Sequence, residues 1–243
     1  MADIFQKLIA FESGECGKWD SEKVRQICTL VRKAVALIDK IFDIFRGTTT
    51  FSFNGGKDST VVLHLLRLTV HIRGTRGLTS PTLSDGCSSF YFDSNSCFKE
   101  EKDFVQSTCV QYGMDLMRLN HNFKEGLEIL TEVHGVRAIF MGTRNTDPDG
   151  VDIDVLSTSS PGWPAFLRVN PCLLWGFHDV WAFLRIFEIP YCILYDSGYT
   201  SIGSRDRTCP NEALKNEDGS YKAAFMLEDV KTERSGSRKS VSE

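Results

Sequence analysis

Apolar residues between positions 21 and 46 recur at steps of three and four, as in Val24, Ile27, Val31, Ile38, Ile41 and Phe45. That spacing lines one face of a helix, so a long amphipathic helix is predicted, N-capped by Ser21 and stopped by Gly47. The rhythm then changes. Thr48–Phe53 is β-branched and aromatic, the composition of a buried strand. After Ser59 the apolar residues return to helical spacing, which starts a helix near Asp58. Residues 71–86 are dominated by Gly, Ser, Thr and Pro and predict a surface loop. Strands follow over 89–93, 116–119 and 138–142, with helices over 98–111, 123–133 and 177–187. The 138–142 run is apolar throughout, as a central parallel strand should be. Strands alternating with helices imply an α/β fold, a doubly wound and mainly parallel sheet with right-handed crossovers. Residues 1–227 are expected to form a single domain with an irregular segment over 191–213. By composition, 228–243 is a polar C-terminal tail of the kind that stays disordered.

In such sheets ligands bind beyond the carboxyl ends of the strands, where the strand order switches. Asn54–Ser59, Asp93 and Thr143–Asp147 all follow strands at that edge. The first of these reads Asn54-Gly55-Gly56-Lys57-Asp58-Ser59. Glycine tolerates left-handed dihedrals and close backbone approach, and a helix start offers unpaired N–H groups and a positive dipole end. Strand, glycine turn and helix together suit a phosphate. The same glycines also serve an ordinary tight turn, and the G-x-x-x-x-G-K-[ST] spacing of a Walker loop is absent. Thr146-Asp147-Pro148 is likewise a routine turn starter.

Composition narrows the chemistry further. A chain of 243 residues, 42% hydrophobic and 25% charged, is an ordinary globular protein. Its net charge of −4 argues against a duplex nucleic-acid partner, which would need a basic face. Eight cysteines include no C-x-x-C pair, which weighs against structural zinc and dithiol redox chemistry and fits a reducing compartment. The first residues have neither a basic n-region nor an apolar h-region, and no apolar run approaches the ~20 residues of a membrane span. A cytoplasmic protein with no membrane partner is expected, its oligomeric state open and a monomer sufficient. No Ser/His/Asp set suggests nucleophilic catalysis.

The turn resembles the S-G-G-x-D-S signature of PP-loop ATP pyrophosphatases, with Asn54 in place of the usual Ser. That family includes the PAPS reductases and the eukaryotic-type FAD synthases, and the Phe53-Asn54-Gly55-Gly56-Lys57-Asp58 form looks most like the latter. Gly142-Thr143-Arg144-Asn145-Thr146-Asp147-Pro148 is similar to their G-x-R-x-T-D-P motif. Similarity continues through Pro161-Gly162-Trp163-Pro164 to Arg168 and resumes over Tyr191–Arg205, so that it covers most of residues 47–234 in the same order.

The resemblance implies an adenine nucleotide alpha-hydrolase-like fold and adenylyl transfer, in which FMN and ATP give FAD and pyrophosphate with Mg²⁺. It places Phe53, Asn54, Gly55, Gly56, Lys57, Asp58, Ser59 and Asp93 at the ATP, with Asp58 toward the metal. Arg144, Asp147, Ser160, Trp163 and Arg168 fall on the FMN side. Asn54, Asp58, Asp147, Arg234 and Arg238 fall at the reacting centre, the two arginines through an E-R-x-x-R-like element of the tail. Asp93 equally suits a helix cap, and Trp163 a closed core. Ser160 stands where many relatives carry an acid. Two rival readings are a reductase, which would need Cys209 as nucleophile outside the expected E-C-G setting, and a non-catalytic nucleotide- or flavin-binding module.

Overall fold

The computed structural model describes residues 2–78, 83 and 87–237. Among these, β1 (Thr49–Ser52), β2 (Ser88–Phe92), β3 (Leu116–Leu119), β4 (Ala138–Phe140), β5 (Leu156–Thr158) and β6 (Leu167–Val169) form one sheet. Its order is β3-β2-β1-β4-β6-β5. All neighbours run parallel except β5, which is antiparallel to β6. Phe51 on β1 pairs with Phe140 on β4, and Ile139 on β4 with Arg168 on β6.

The helices are α1 (Ala2–Glu12), α2 (Ser21–Ile44), α3 (Lys57–Thr75), α4 (Lys99–Tyr112), α5 (Phe123–Glu128) and α6 (Phe177–Ile186). β4 explains why both faces need cover. Ala138 and Phe140 join the larger core with α2, α3, α4 and α6, while Ile139 points the other way. There it meets Phe90, Leu119, Leu130 and Phe166 in a smaller second core. A strand buried on both sides must be apolar at every position, which is why its sequence shows no alternation. The amphipathic α2 contributes Val24, Ile27, Val31 and Ile38 to the larger core. Full burial of one such side chain is worth about 1.5–3 kcal/mol, more than any difference in helix propensity along it.

Three sequence expectations change. The cap of α2 is Asp20, whose side chain accepts from the Lys23 amide at 2.8 Å, and not Ser21. α3 runs through Thr75, into the stretch expected to be loop. Arg73 holds it there: its guanidinium is buried and donates to Asp43 of α2 at 2.8 Å and to Asp39 at 2.5 Å. Most of the remaining expected loop lies outside the described residues. Finally, α1, β5 and β6 are too short or too weakly patterned to be read from periodicity.

Candidate active site

β1 delivers the chain into a turn at Asn54, Gly55 and Gly56. Gly55 has φ 73°, and a Cβ there would lie 2.9 Å from Val105 Cγ2 on α4, so dihedral and space both require glycine. Asn54 Oδ1 accepts from the Gly56 amide at 3.1 Å and from Ser59 Oγ at 2.7 Å, which ties the turn to the start of α3. The Lys57 amide donates to the Tyr195 hydroxyl at 2.8 Å. The amides beside the glycines are therefore not all open to phosphate. Those of Gly56 and Lys57 have internal partners.

β4 ends beside this turn. A Cβ on Gly142 would lie 2.8 Å from Ser59 N and 2.9 Å from the Asp58 carbonyl carbon, so the loop after β4 lies directly on the start of α3. β1 and β4 are neighbours, but β2 and β6 depart on opposite sides, and the loops diverge at this switch in strand order.

Six charged groups meet below the turn. Lys57 Nζ contacts Asp58 Oδ2 at 3.1 Å and Glu233 Oε1 at 2.7 Å. Arg144, fully buried, pairs its Nε with Asp58 Oδ1 at 2.7 Å and its Nη2 with Glu233 Oε1. Asp147 Oδ2 accepts from the Arg144 amide at 2.9 Å, and Asp147 Oδ1 accepts from Arg234 Nη2 at 2.7 Å. Three cations face three carboxylates, so the cluster is neutral as a whole, the condition under which buried charges are tolerated. Burial alone would push the Asp58 carboxyl up, but Lys57 and Arg144 outweigh it and hold it below the ordinary carboxylate range. Burial works against the Arg144 cation too, and Asp58 and Glu233 overcome it, so Arg144 stays charged. The Arg144–Asp58 contact lies off the N–H axis. Asp58 Oδ1 therefore accepts no hydrogen bond.

Two cavities open above this cluster. One, of about 280 Å³, is lined by Asn54, Gly56, Asp58 and Ser59 of the turn. The other, of about 620 Å³, is a groove lined by Phe92, Phe123, Trp163, Phe166, Ser160 and Arg168. Ser52, Met141, Thr143, Asp147 and Arg234 line both, so the cavities share one wall.

The family model for the phosphoadenosine phosphosulfate reductase domain matches residues 124–210. A Schizosaccharomyces pombe protein named "Probable FAD synthase" is 33% identical over 91% of this chain and 83% of its own length. The chain belongs to the FAD synthase family. A Caenorhabditis elegans "Probable FAD synthase" is also 33% identical over 96% of this chain, which spans only 44% of that longer protein. The crystal structure of Candida glabrata FMN adenylyltransferase in complex with FMN and the ATP analog AMPCPP superposes with a TM-score of 0.81. That match covers 97% of this chain and 98% of that one at 23% identity, which establishes the common fold.

Within this FAD synthase fold most of the expected residues converge. Asn54, Gly56, Lys57, Asp58 and Ser59 line the small cavity, Ser160, Trp163 and Arg168 the groove, and Asp147 and Arg234 the shared wall. Others sit differently from expectation. Phe53 is fully buried against Phe51, so its side chain faces the core and not a ligand. Lys57, expected at the ATP, is buried and its Nζ is held by two carboxylates. Arg144 lies behind the wall, with no exposed surface for FMN. Asp93 lines neither cavity and pairs with Lys102 at 2.6 Å and Arg118 at 3.3 Å. Arg238 lies outside the described residues.

Four residues carry little signal in sequence. Tyr195 caps the Lys57 amide, Thr200 donates to the Glu233 carbonyl at 2.6 Å, and Asn211 donates to the Thr232 carbonyl at 2.8 Å. The fourth is Glu233 itself. Its one clue is its place before Arg234 in the E-R-x-x-R-like element.

Proposed function

We propose that this chain is an FMN adenylyltransferase, transferring the AMP moiety of ATP to FMN and releasing FAD and pyrophosphate. One observation carries the reading: a polar cavity beside a glycine turn and an aromatic groove share a wall that holds Asp147 and Arg234. A triphosphate suits the first and an isoalloxazine ring the second, with Trp163, Phe92 and Phe123 offering faces for stacking. The FMN phosphate and the α-phosphorus would then meet at the wall.

The chemistry asks for no general base. The second pKa of a phosphate monoester is about 6, so at neutral pH the FMN phosphate is mostly a dianion and already a nucleophile. One of its oxygens forms the bond to the α-phosphorus as the bond to the bridging oxygen breaks, and pyrophosphate leaves with that electron pair. The protein must align the two polyanions and offset their charge. Arg234, 39% exposed at the shared wall, offers its cation to both. Asp147 fixes that guanidinium from behind, and the start of α3, with the positive end of its dipole, lines the cavity proposed for the triphosphate. Arg144 and Lys57 act one layer deeper, holding Asp58 and Glu233 in place.

Mg²⁺ fits this arrangement in a particular way. Among the described residues no group of three or more His, Cys, Asp or Glu side chains could cage a metal. Asp58 lines the cavity, but its Oδ2 lies on Lys57 and its buried Oδ1 on Arg144, so a Mg²⁺ beside it would be held mainly through the substrate phosphates. When bound, the ion would neutralise charge on the departing pyrophosphate. All eight cysteines are free thiols, which supports a reducing, cytoplasmic setting. Among the described residues no helix is long and apolar enough to cross a membrane.

The test is direct. Purified protein with FMN, ATP and Mg²⁺ should form FAD and pyrophosphate in equal amounts, read by chromatography. A parallel incubation with PAPS and a thiol donor should yield no sulfite, since the Cys209 thiol faces the Gly236 carbonyl and lines neither cavity. FAD absent and sulfite present would replace this reading with the reductase one.

A further inference from the structure

Residues 230–237 have no helix or strand ladder of their own beyond a short 3₁₀ turn at Val230–Thr232, so contacts with the rest of the protein must set where this strap lies. Consecutive residues of the strap point in opposite directions. Glu233 is 6% exposed and inserts a single oxygen, Oε1, between Lys57 Nζ and Arg144 Nη2. Arg234 points outward to the shared wall, with Nη2 on Asp147 at 2.7 Å and Nη1 on Ser201 Oγ at 3.4 Å. We infer that Glu233 is a positioning residue: the depth to which its carboxylate plugs the Lys57–Arg144 pair sets where Arg234 stands over the reacting phosphates. The inference rests on the adenylyl-transfer reading for its chemistry, and on geometry alone for the seating of the strap.

Three features make Glu233 the determinant. It supplies the third carboxylate of the buried cluster, without which Lys57, Arg144 and Arg234 face only Asp58 and Asp147. Its backbone is clasped on the opposite side: Thr200 Oγ1 donates to the Glu233 carbonyl at 2.6 Å, and Asn211 Nδ2 donates to Thr200 Oγ1 at 3.1 Å. Beyond it, the Cys209 amide donates to the Gly236 carbonyl at 2.9 Å, and a Cβ on Gly236 would come within 2.2 Å of the Cys209 carbonyl oxygen. The strap is thus clamped along its outer edge, and its inward anchor is the Glu233 carboxylate, the side chain of the strap that reaches Lys57 and Arg144. A neutral side chain at 233 would leave the clamp and remove the anchor, freeing Arg234 to drift from the wall.

The experiment is a double-mutant cycle on the full-length chain, with Glu233→Gln, Arg234→Ala and the pair. A displacement of about 1 Å at a reacting centre costs on the order of 100-fold in rate, so Glu233→Gln should lower kcat by about that factor with both KM values within a few-fold. In the Arg234→Ala background the same change should cost less than about 3-fold, because its effect runs through the missing arginine. Multiplying effects, or an unchanged kcat in Glu233→Gln, would overturn the inference. Amide exchange of residues 230–237 supplies the readout that does not need turnover. It should quicken in Glu233→Gln whatever reaction the protein catalyses, and unchanged exchange would refute the seating even if FAD is made. Should Glu233→Gln fail to fold, Thr200→Val loosens the same strap from its outer side and must show the same non-additivity with Arg234→Ala. Multiplicative behaviour there counts against the inference.

Discussion

Asp147→Asn is the sharpest perturbation of the proposed centre, because it removes one charge while nearly keeping the shape. Asp147 uses both oxygens: Oδ2 accepts from the Arg144 amide at 2.9 Å, Oδ1 from Arg234 Nη2 at 2.7 Å, and Oδ1 also lies 3.7 Å from Arg144 Nη2. An asparagine has one acceptor oxygen, so its amide nitrogen must face one of these donors and leave it unsatisfied. The cluster also shifts from neutral to a net charge of one. The Asp147 side chain is only 12% exposed, so solvent screens little of this. Breaking one partner of a buried pair costs about 3–5 kcal/mol, and the retained polarity of Asn favours the lower end, about 3 kcal/mol. For a chain of this size that lowers Tm by roughly 6–12 °C. Arg234, no longer held from behind, should cost kcat on the order of 100-fold. Melting is followed by circular dichroism and FAD formation by chromatography at 15 °C, where the variant stays folded. A lowered Tm with normal kcat would reduce Asp147 to a structural strut. An unchanged Tm would refute the cluster itself.

Other outcomes follow from single features. Gly55→Ala places a side chain at φ 73° and 2.9 Å from Val105 Cγ2, and should lower Tm and weaken ATP binding together; wild-type nucleotide binding would mean the turn does not contact phosphate. Trp163→Ala and Arg168→Ala should raise KM for FMN more than KM for ATP, since both line the groove and not the small cavity; equal effects on the two substrates would remove them from a flavin site. Burial lifts the Glu101 carboxyl to about 7, so the folded state holds its proton more tightly than the unfolded chain does. The resulting penalty is absent below about pH 4.5, grows as pH rises and is complete above 7, amounting to at most about 3 kcal/mol. Glu101→Gln should therefore raise Tm at pH 8 and leave it unchanged at pH 4.5, and no gain at pH 8 would refute the shift.

What could be read from the amino-acid order, and what could not, follows from the range of the interactions involved. The β1–turn–α3 unit is local: β-branched residues, two glycines and a helical apolar rhythm specify it within twenty positions, and Gly55 at φ 73° is the cause of that signal. β4 and its following loop are legible for the same reason, because an unbroken apolar run has nowhere to go but the middle of a sheet. Arg73 and Glu233 escaped because a charged residue in a polar stretch looks the same whether it is solvated or buried. Arg73 lies in a Gly- and Thr-rich run, yet Asp39 and Asp43, thirty or more positions earlier, keep it helical and covered. Glu233 lies in a tail whose composition points to disorder, yet its partners are Lys57 and Arg144, 176 and 89 positions away. Composition measures how much apolar surface a segment can bury, and this strap buries little. It is held by charge neutralisation and by the clamp of Thr200 and Asn211. Its order is therefore conditional on the site it completes: disturb the six-charge balance anywhere, at Asp58 or Arg144 as much as at Glu233, and the strap should loosen first, before the sheet that carries the glycine turn.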